Sequence, residues 1–476
     1  MQLTHPLVHK LDGHFLHPID YFPAFKKMAY PMLLDSSAQN RDTGRYSYLT
    51  ADPFLVLLSH GSEVTIKKNN QSLKTHANVL DVLQDLLLKY RLKPSTEFPD
   101  LPGFQGGAAG FISYDLSRLL EDLPVKATWD HDIPDLALPF YDWVIAHDNV
   151  SSQSYLFSTG FPTGTKSHAC SRIKWILDHL DQHKENKEQN GTMMHETSSL
   201  SSTFSRAEYH SAVNKIKEYL HSGDTYQVNI SHRFEGTFTG NEWSLYKNLR
   251  EDNPAPFGAY LKFPMVQILS SSPEQFLSLD GTSVETRPIK GTNPRGETQE
   301  IDTQMAKDLF NSNKDRAENI MIVDLLRNDL GKVCRVGSVK VPSLFSLEAH
   351  PTVWHLVSTI TGCLAPPNTV VDLIRATFPG GSITGTPKIR AMEIIEEIEP
   401  VRRQIYCGSI GYISFTGNMK TNIAIRTIVI KNGHVYLPVG GGIVADSDPE
   451  TEYQETLDKS KGILKTLGQF LETDQQ

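Results

Sequence analysis

Lys290 stands between Pro288-Ile289 and Gly291-Thr292, in a stretch built like a strand end running into a tight loop. Proline fixes φ and glycine frees it, so the backbone of such a lysine is set by neighbours of opposite stiffness. Burial would disfavour the ammonium, and so would the nearby Arg287 and Arg295; either effect lowers the pKa and frees the amine as a nucleophile. On this stretch alone a solvated loop lysine is the simpler reading. Glu274 lies in Ser270–Phe276, on a strand leading into an Asp280-Gly281 turn, and Lys290 lies on the return. Counting back from that turn sets residue 287 opposite Glu274 and Lys290 three residues beyond, roughly 10 Å along the strand. Pro288 interrupts the ladder, so parity does not give the face Lys290 takes. An acid and an amine at one end of a hairpin suit a general acid beside a nucleophile, and equally a surface ion pair.

Two further acid pairs recur at i,i+3, Asp315 with Glu318 and Glu452 with Glu455, and Lys459 follows Glu455 at i+4. Each pair shares one helix face. Singly they read as solvated helix edges. Together they could converge on a hard cation such as Mg²⁺, with coordination positions left for water and a substrate carboxylate. Gly440-Gly441-Gly442 exposes backbone N–H groups suited to a carboxylate. Arg426, centred in the apolar run Asn422–Ile430, is costly to bury without an anion.

The elements that must position these groups read as α+β. Hairpin turns at Asp280-Gly281 and Asn432-Gly433 imply antiparallel sheets, with helices packed outside them. Ser205 and Glu208 form a capping box on a helix, and Asn78–Tyr90 has apolar residues at helical spacing. The glycines of Gln105–Phe111 lack the context of a dinucleotide fingerprint and read as close backbone packing. A polar stretch at 181–203 reads as a linker or surface loop between an N-terminal region (1–180) and a catalytic region (204–472).

The 476 residues carry 46 basic and 55 acidic groups, a net charge of −9 that argues against a nucleic-acid surface. The longest apolar runs fall short of a membrane span, no signal peptide is apparent, and four scattered cysteines (Cys170, Cys334, Cys363, Cys407) read as reduced thiols. The expected setting is cytoplasmic.

Taken in order, Ser272-Pro273-Glu274, Pro288–Thr292, Glu318–Asp329, His355–Ser358, Phe378–Gly385, Gly408–Gly411, Ile425–Thr427 and Gly440–Glu455 resemble the chorismate-utilising enzymes, a family of anthranilate, aminodeoxychorismate, isochorismate and salicylate synthases. The resemblance implies two packed antiparallel sheets surrounded by helices. It also implies that Lys290 is a covalent nucleophile with Glu274 as acid. Glu318 and Glu455 would hold Mg²⁺, with Glu452 and Asp315 behind waters. Arg426 and Tyr406 would bind the enolpyruvyl carboxylate, Gly440, Gly442 and Lys459 the ring carboxylate, and His355 and Ser382 would line the ring.

Gln227 stands where the water-using members carry a lysine base, and Pro-Ile-Lys-Gly-Thr is the pattern of the aminodeoxychorismate-forming members. Those members combine chorismate with ammonia in p-aminobenzoate and folate biosynthesis. No cysteine here has the setting of an amidotransferase nucleophile, so a separate glutaminase subunit is expected to supply the ammonia. Leu34, Ser36, Arg45, Tyr46 and Ser47 lie where relatives bind tryptophan; Asp35 departs from the glutamate of feedback-regulated members. Two rival readings are an anthranilate synthase component I, against which Lys290 argues, and a non-catalytic amidotransferase scaffold, which would need none of these acids.

Overall fold

The computed structural model describes residues 2–11, 17–38, 43–68, 71–185, 196–350 and 353–468. Two antiparallel sheets of 13 and 12 strands pack face to face, as the α+β reading expects. Their shared interior is filled by Met32, Tyr48, Leu261 and Ile268 from one sheet and Leu58, Phe111, Ala137 and Tyr412 from the other. Each fully buried Phe or Leu in such a layer is worth about 1.5–3 kcal/mol relative to exposure. Helices cover the two outer faces. Pro18–Phe25, Glu242–Asp252 and Pro449–Thr466 lie on the first sheet, and Val79–Lys89, Asn313–Gly331 and Val370–Thr377 on the second.

Local chemistry explains several of these elements. Asn78 caps Val79–Lys89, and Ser205 with Glu208 makes the expected capping box on Arg206–His221. Asn432 and Gly433 both have positive φ (51° and 75°), the backbone that a two-residue turn from Lys431 to His434 requires. A Cβ on Gly107 or Gly110 would lie 2.2 Å from a neighbouring carbonyl oxygen, so these glycines serve close strand packing.

The 181–203 stretch begins in the last turns of helix Lys166–Glu185 and ends in two short strands, Glu196–Thr197 and Ser201–Ser202, paired with Gln227–Thr239. Residues 186–195 lie outside the described residues. Strands from before and after this stretch share both sheets: Met32–Asp35 pairs with Phe257–Phe263, and Gly107–Ile112 with Ser409–Ser414. Strands of the 1–180 and 204–472 regions thus stand side by side in both sheets.

The run Asn422–Ile430 is not one strand. Met419–Asn422 belongs to the second sheet and Thr427–Lys431 to the first, and the chain crosses between them at Ile423–Arg426. Arg426 turns this corner at φ 50°, a left-handed conformation that costs a non-glycine residue about 1–3 kcal/mol.

Candidate active site

The hairpin carrying Glu274 and Lys290 has a different register from the simple count. Its turn is Gly281-Thr282, with Asp280 opposite Ser283, and a bulge before Ser278 brings Gln275 opposite Arg287. Glu274 therefore sits beside Pro288, where the backbone N–H of Ile289 donates to its carboxylate. Ser382 Oγ donates to Glu274 Oε1 at 2.5 Å. Burial nevertheless dominates and pushes the Glu274 carboxyl up to about 7, against the pull of Ser382, Lys290, Ile289 and Arg426. It is an acid that can be protonated near neutral pH.

Lys290 is half-buried, and its Nζ lies 3.3 Å from where a Cβ on Gly442 would stand. Loss of water holds the ammonium below the ordinary lysine value. Lys459 adds to that effect, while Glu318, Glu274 and Glu455 oppose it. Arg287 and Arg295 are not among the main influences on Lys290; Arg287 is paired with Glu348 and Arg295 with Asp302. Among the described residues the Lys290 amine makes no hydrogen bond or ion pair. Gly291 has φ 89°, and a Cβ there would press on Leu309 and Asp315, 2.9 and 3.0 Å away. Glycine at 291 thus lets the lysine loop close onto the helix that carries the first acid pair.

The strand His434–Ile443 threads its three glycines through the site. A Cβ on Gly440 would meet Ile230 O at 2.4 Å and Tyr406 Oη at 2.9 Å; on Gly442 it would meet Gln227 Nε2 at 2.3 Å. Gly441 faces the other way, toward Glu452 Oε2 and Lys459 Nζ, 3.7 and 3.8 Å from its Cβ position. Lys459 Nζ also donates to Gly440 O at 3.3 Å. Along this strand, then, Gly442 borders Lys290 while Gly441 borders the acid helix Pro449–Thr466.

Glu452 is buried, accepting from Ser447 Oγ (2.6 Å) and Lys314 Nζ (3.3 Å), and Glu455 pairs with Lys459 at 2.7 Å. Burial raises Glu318 while Lys290 and Lys314 lower it, and Lys459 holds Glu455 below the usual carboxylate range. These mutual influences place Glu318, Glu452 and Glu455 in one electrostatic neighbourhood with three lysines.

The four expected acids are not among the sets of three donors lying within 4.8 Å of one another. Among the described residues that distance is met by Asp130, His131 and Glu235, which could hold a metal ion and are tied to Arg233 by its pairs with Asp130 and Glu235. At the expected site Lys314 and Lys459 balance the acids instead. Carboxylate oxygens on two facing helices remain the donor type that suits magnesium.

Arg426 is half-buried; its carbonyl accepts from the Ser271 N–H at 3.0 Å, but its guanidinium makes no hydrogen bond or ion pair among the described residues. Burial is the main influence on that guanidinium and Glu274 the opposing one. His355 is buried and shares a 2.8 Å hydrogen bond with Thr292 through Nδ1, while its Nε2 is buried without a partner. Burial, Arg426 and His350 hold His355 well below the ordinary histidine value, so it is neutral. Gln227 Oε1 is likewise buried and unpartnered. The result is a set of uncommitted donors and acceptors near a lysine and a protonatable acid. Such a set can bind a small dianionic substrate and protonate its leaving group.

The residues expected to bind tryptophan lie elsewhere. Leu34, Ser36, Arg45 and Tyr46 line a cavity of about 400 Å³ between the sheets, with Tyr412 and Lys420. Ser47 is not in its lining; it sits behind, donating to Asp35 at 3.3 Å and accepting from the Ser36 N–H at 3.1 Å. Sequence reasoning missed Lys314, four residues before Glu318 on one helix face, and Ser447, just before the helix that bears Glu452. The i,i+4 spacing of Lys314 was a usable signal; Ser447 gave none.

The chain is a chorismate-binding enzyme: residues 32–465 match the family described as chorismate binding enzyme. Within it, the chain belongs to the anthranilate and aminodeoxychorismate synthase component I group. It is 45% identical over 447 residues to aminodeoxychorismate synthase component 1 of Escherichia coli, covering 94% of this chain and 95% of that one. Anthranilate synthase component 1 of Acetivibrio thermocellus is 35% identical over 459 residues, covering 94% and 92%. Among solved structures, anthranilate synthase component I of Streptococcus pneumoniae superposes with a TM-score of 0.77 at 30% identity, covering 89% of this chain and 93% of that one. No described helix is long and apolar enough to cross a membrane.

Proposed function

We infer that the enzyme converts chorismate and ammonia to 4-amino-4-deoxychorismate through a covalent Lys290 intermediate. The observation that carries this reading is the uncommitted Lys290 amine, held below its ordinary pKa beside a Glu274 carboxyl that titrates near 7. In the first step Lys290 attacks C2, the ring double bonds shift, and the C4 hydroxyl leaves as water with the proton of Glu274. In the second, ammonia adds at C4, the double bonds shift back, and the lysine amine departs from C2. Two displacements place the nitrogen on the carbon that lost the hydroxyl, whereas direct attack at C2 leads toward anthranilate.

Arg426 and Tyr406 would hold the enolpyruvyl carboxylate, and Gly440, Gly442 and Lys459 the ring carboxylate, with His355 along the ring. Glu318, Glu452 and Glu455, with Asp315 on the adjoining turn, would hold magnesium, which when bound polarises the ring carboxylate and makes the ring a better electrophile. A glutaminase subunit would supply the ammonia, since no cysteine here is set as an amidotransferase nucleophile. The cavity lined by Leu34, Ser36, Arg45 and Tyr46 suits an amino acid such as tryptophan, with Lys420 half-buried beside it.

Product identification by mass spectrometry with chorismate, Mg²⁺ and an ammonium salt tests the reading. The expected product is aminodeoxychorismate, convertible by a lyase to p-aminobenzoate. Fluorescent anthranilate in its place would overturn the reading.

A further inference from the structure

Asp329 and Lys388 form a buried ion pair that the chemistry above does not use. Asp329 lies near the C-terminal end of Asn313–Gly331, the helix whose first turns carry Asp315 and Glu318. Lys388 opens the helix Lys388–Ile398. The side chain of Asp329 is 2% exposed and that of Lys388 13%. Lys388 Nζ donates to Asp329 Oδ2 at 2.5 Å and to two carbonyls of the glycine-rich loop, Thr377 O at 2.7 Å and Pro379 O at 2.9 Å. Asp329 Oδ1 accepts from Lys332 at 2.9 Å.

The loop continues from those carbonyls directly to Ser382, whose hydroxyl donates to Glu274. Its two glycines run close against side chains of neighbouring segments. A Cβ on Gly380 would lie 2.6 Å from Ile423 Cδ1, and one on Gly381 2.7 Å from Leu325 Cδ2.

We propose that Asp329 and Lys388 are positioning residues, a buried clamp that fixes the Thr377–Ser382 loop so that Ser382 holds the Glu274 carboxyl in place for proton delivery. A buried ammonium without its carboxylate is strongly disfavoured, so losing either partner releases the loop carbonyls. The inference rests on Glu274 being the acid of the proposed reaction. The charged or titratable groups acting on Glu274 are Lys290, Arg426 and Cys407, and none touches the clamp. Ser382 favours the charged carboxylate, so weakening its hydrogen bond raises the Glu274 pKa. An acid must be protonated to act, so the alkaline limb of kcat/KM then moves to higher pH.

The test is the pH profile of kcat/KM for wild type, Glu274→Gln, Ser382→Ala, Lys388→Met and the near-isosteric Asp329→Asn, which keeps the fold testable if Lys388→Met does not fold. Ser382→Ala is expected to raise the alkaline limb by about one pH unit, as loss of a hydrogen bond to a charged group predicts. The clamp variants should reproduce that shift, and Asp329→Asn should add nothing further to Ser382→Ala. A limb that moves in Ser382→Ala and stays put in folded Asp329→Asn overturns the clamp while leaving the proposed reaction intact. A limb that persists in Glu274→Gln overturns the role of Glu274, and the clamp inference with it.

Discussion

Two kinds of buried charge lie within a few strands of each other in this enzyme. Arg403 is fully satisfied: its guanidinium donates twice to Glu399 (2.9 and 2.7 Å) and to the carbonyls of Ile383 and Asn229, both at 2.8 Å. Glu399 in turn accepts from the backbone and hydroxyl of Ser231. The Arg426 guanidinium and the Lys290 amine, by contrast, make no hydrogen bond or ion pair among the described residues, and His355 Nε2 and Gln227 Oε1 are buried without partners. Burying a charge costs free energy unless it is paired. The paired set joins segments of the fold, whereas the unpaired set is the one that the proposed reaction would use to meet the substrate's carboxylates and leaving hydroxyl.

Mutations should separate the two sets. Lys290→Ala is expected to lower aminodeoxychorismate formation by roughly a thousandfold or more without lowering Tm, since the Lys290 amine makes no hydrogen bond or ion pair that the fold would lose. Arg403→Met is expected to do the reverse, costing about 3–5 kcal/mol of stability by leaving the buried Glu399 without its cation; denaturant titration reads this. Glu274→Gln should lower turnover about 10²–10⁴-fold. Arg426→Ala should weaken chorismate binding by about 2–5 kcal/mol, read by calorimetry. Its Tm should not fall, because a strained φ of 50° and an unpaired guanidinium contribute nothing to the fold.

Glu274 also sharpens the contrast through pH. Its folded value of about 7 lies above the ordinary 4.5, so folding favours the protonated form. The stability this contributes is complete below about pH 4.5 and is lost as pH rises through 7. The wild type should therefore lose roughly 3 kcal/mol relative to Glu274→Gln between pH 4.5 and 8.5, measured by denaturant midpoints. The smallest effect is expected at the exposed Glu455–Lys459 pair. Glu455→Gln should change stability by less than about 1 kcal/mol, and its Mg²⁺ affinity should fall.

Much of the site was legible in the sequence because its chemistry is carried by residues of unusual local setting. Lys290 between Ile289 and Gly291, the i,i+3 acids and the glycine triplet all declare themselves through spacing and backbone freedom. What escaped depended on tertiary detail. A β-bulge displaced the hairpin count, a sheet crossing at Ile423–Arg426 broke a run that looked like one strand, and Arg287 and Arg295 were claimed by partners 61 and 7 residues away. The polar 181–203 stretch suggested a boundary, yet strands on either side of it pair across both sheets. Composition reports local disorder tendency and carries no information on long-range pairing.

Whether Lys290 is the nucleophile is decided by intact-protein and peptide mass spectrometry after incubation with chorismate and Mg²⁺ without ammonia. The expected result is an adduct with the mass of chorismate less one water, located on Lys290, absent from Lys290→Ala and discharged by added ammonium. Aminodeoxychorismate formed at an undiminished rate by Lys290→Ala, with no adduct on the wild type, would contradict it.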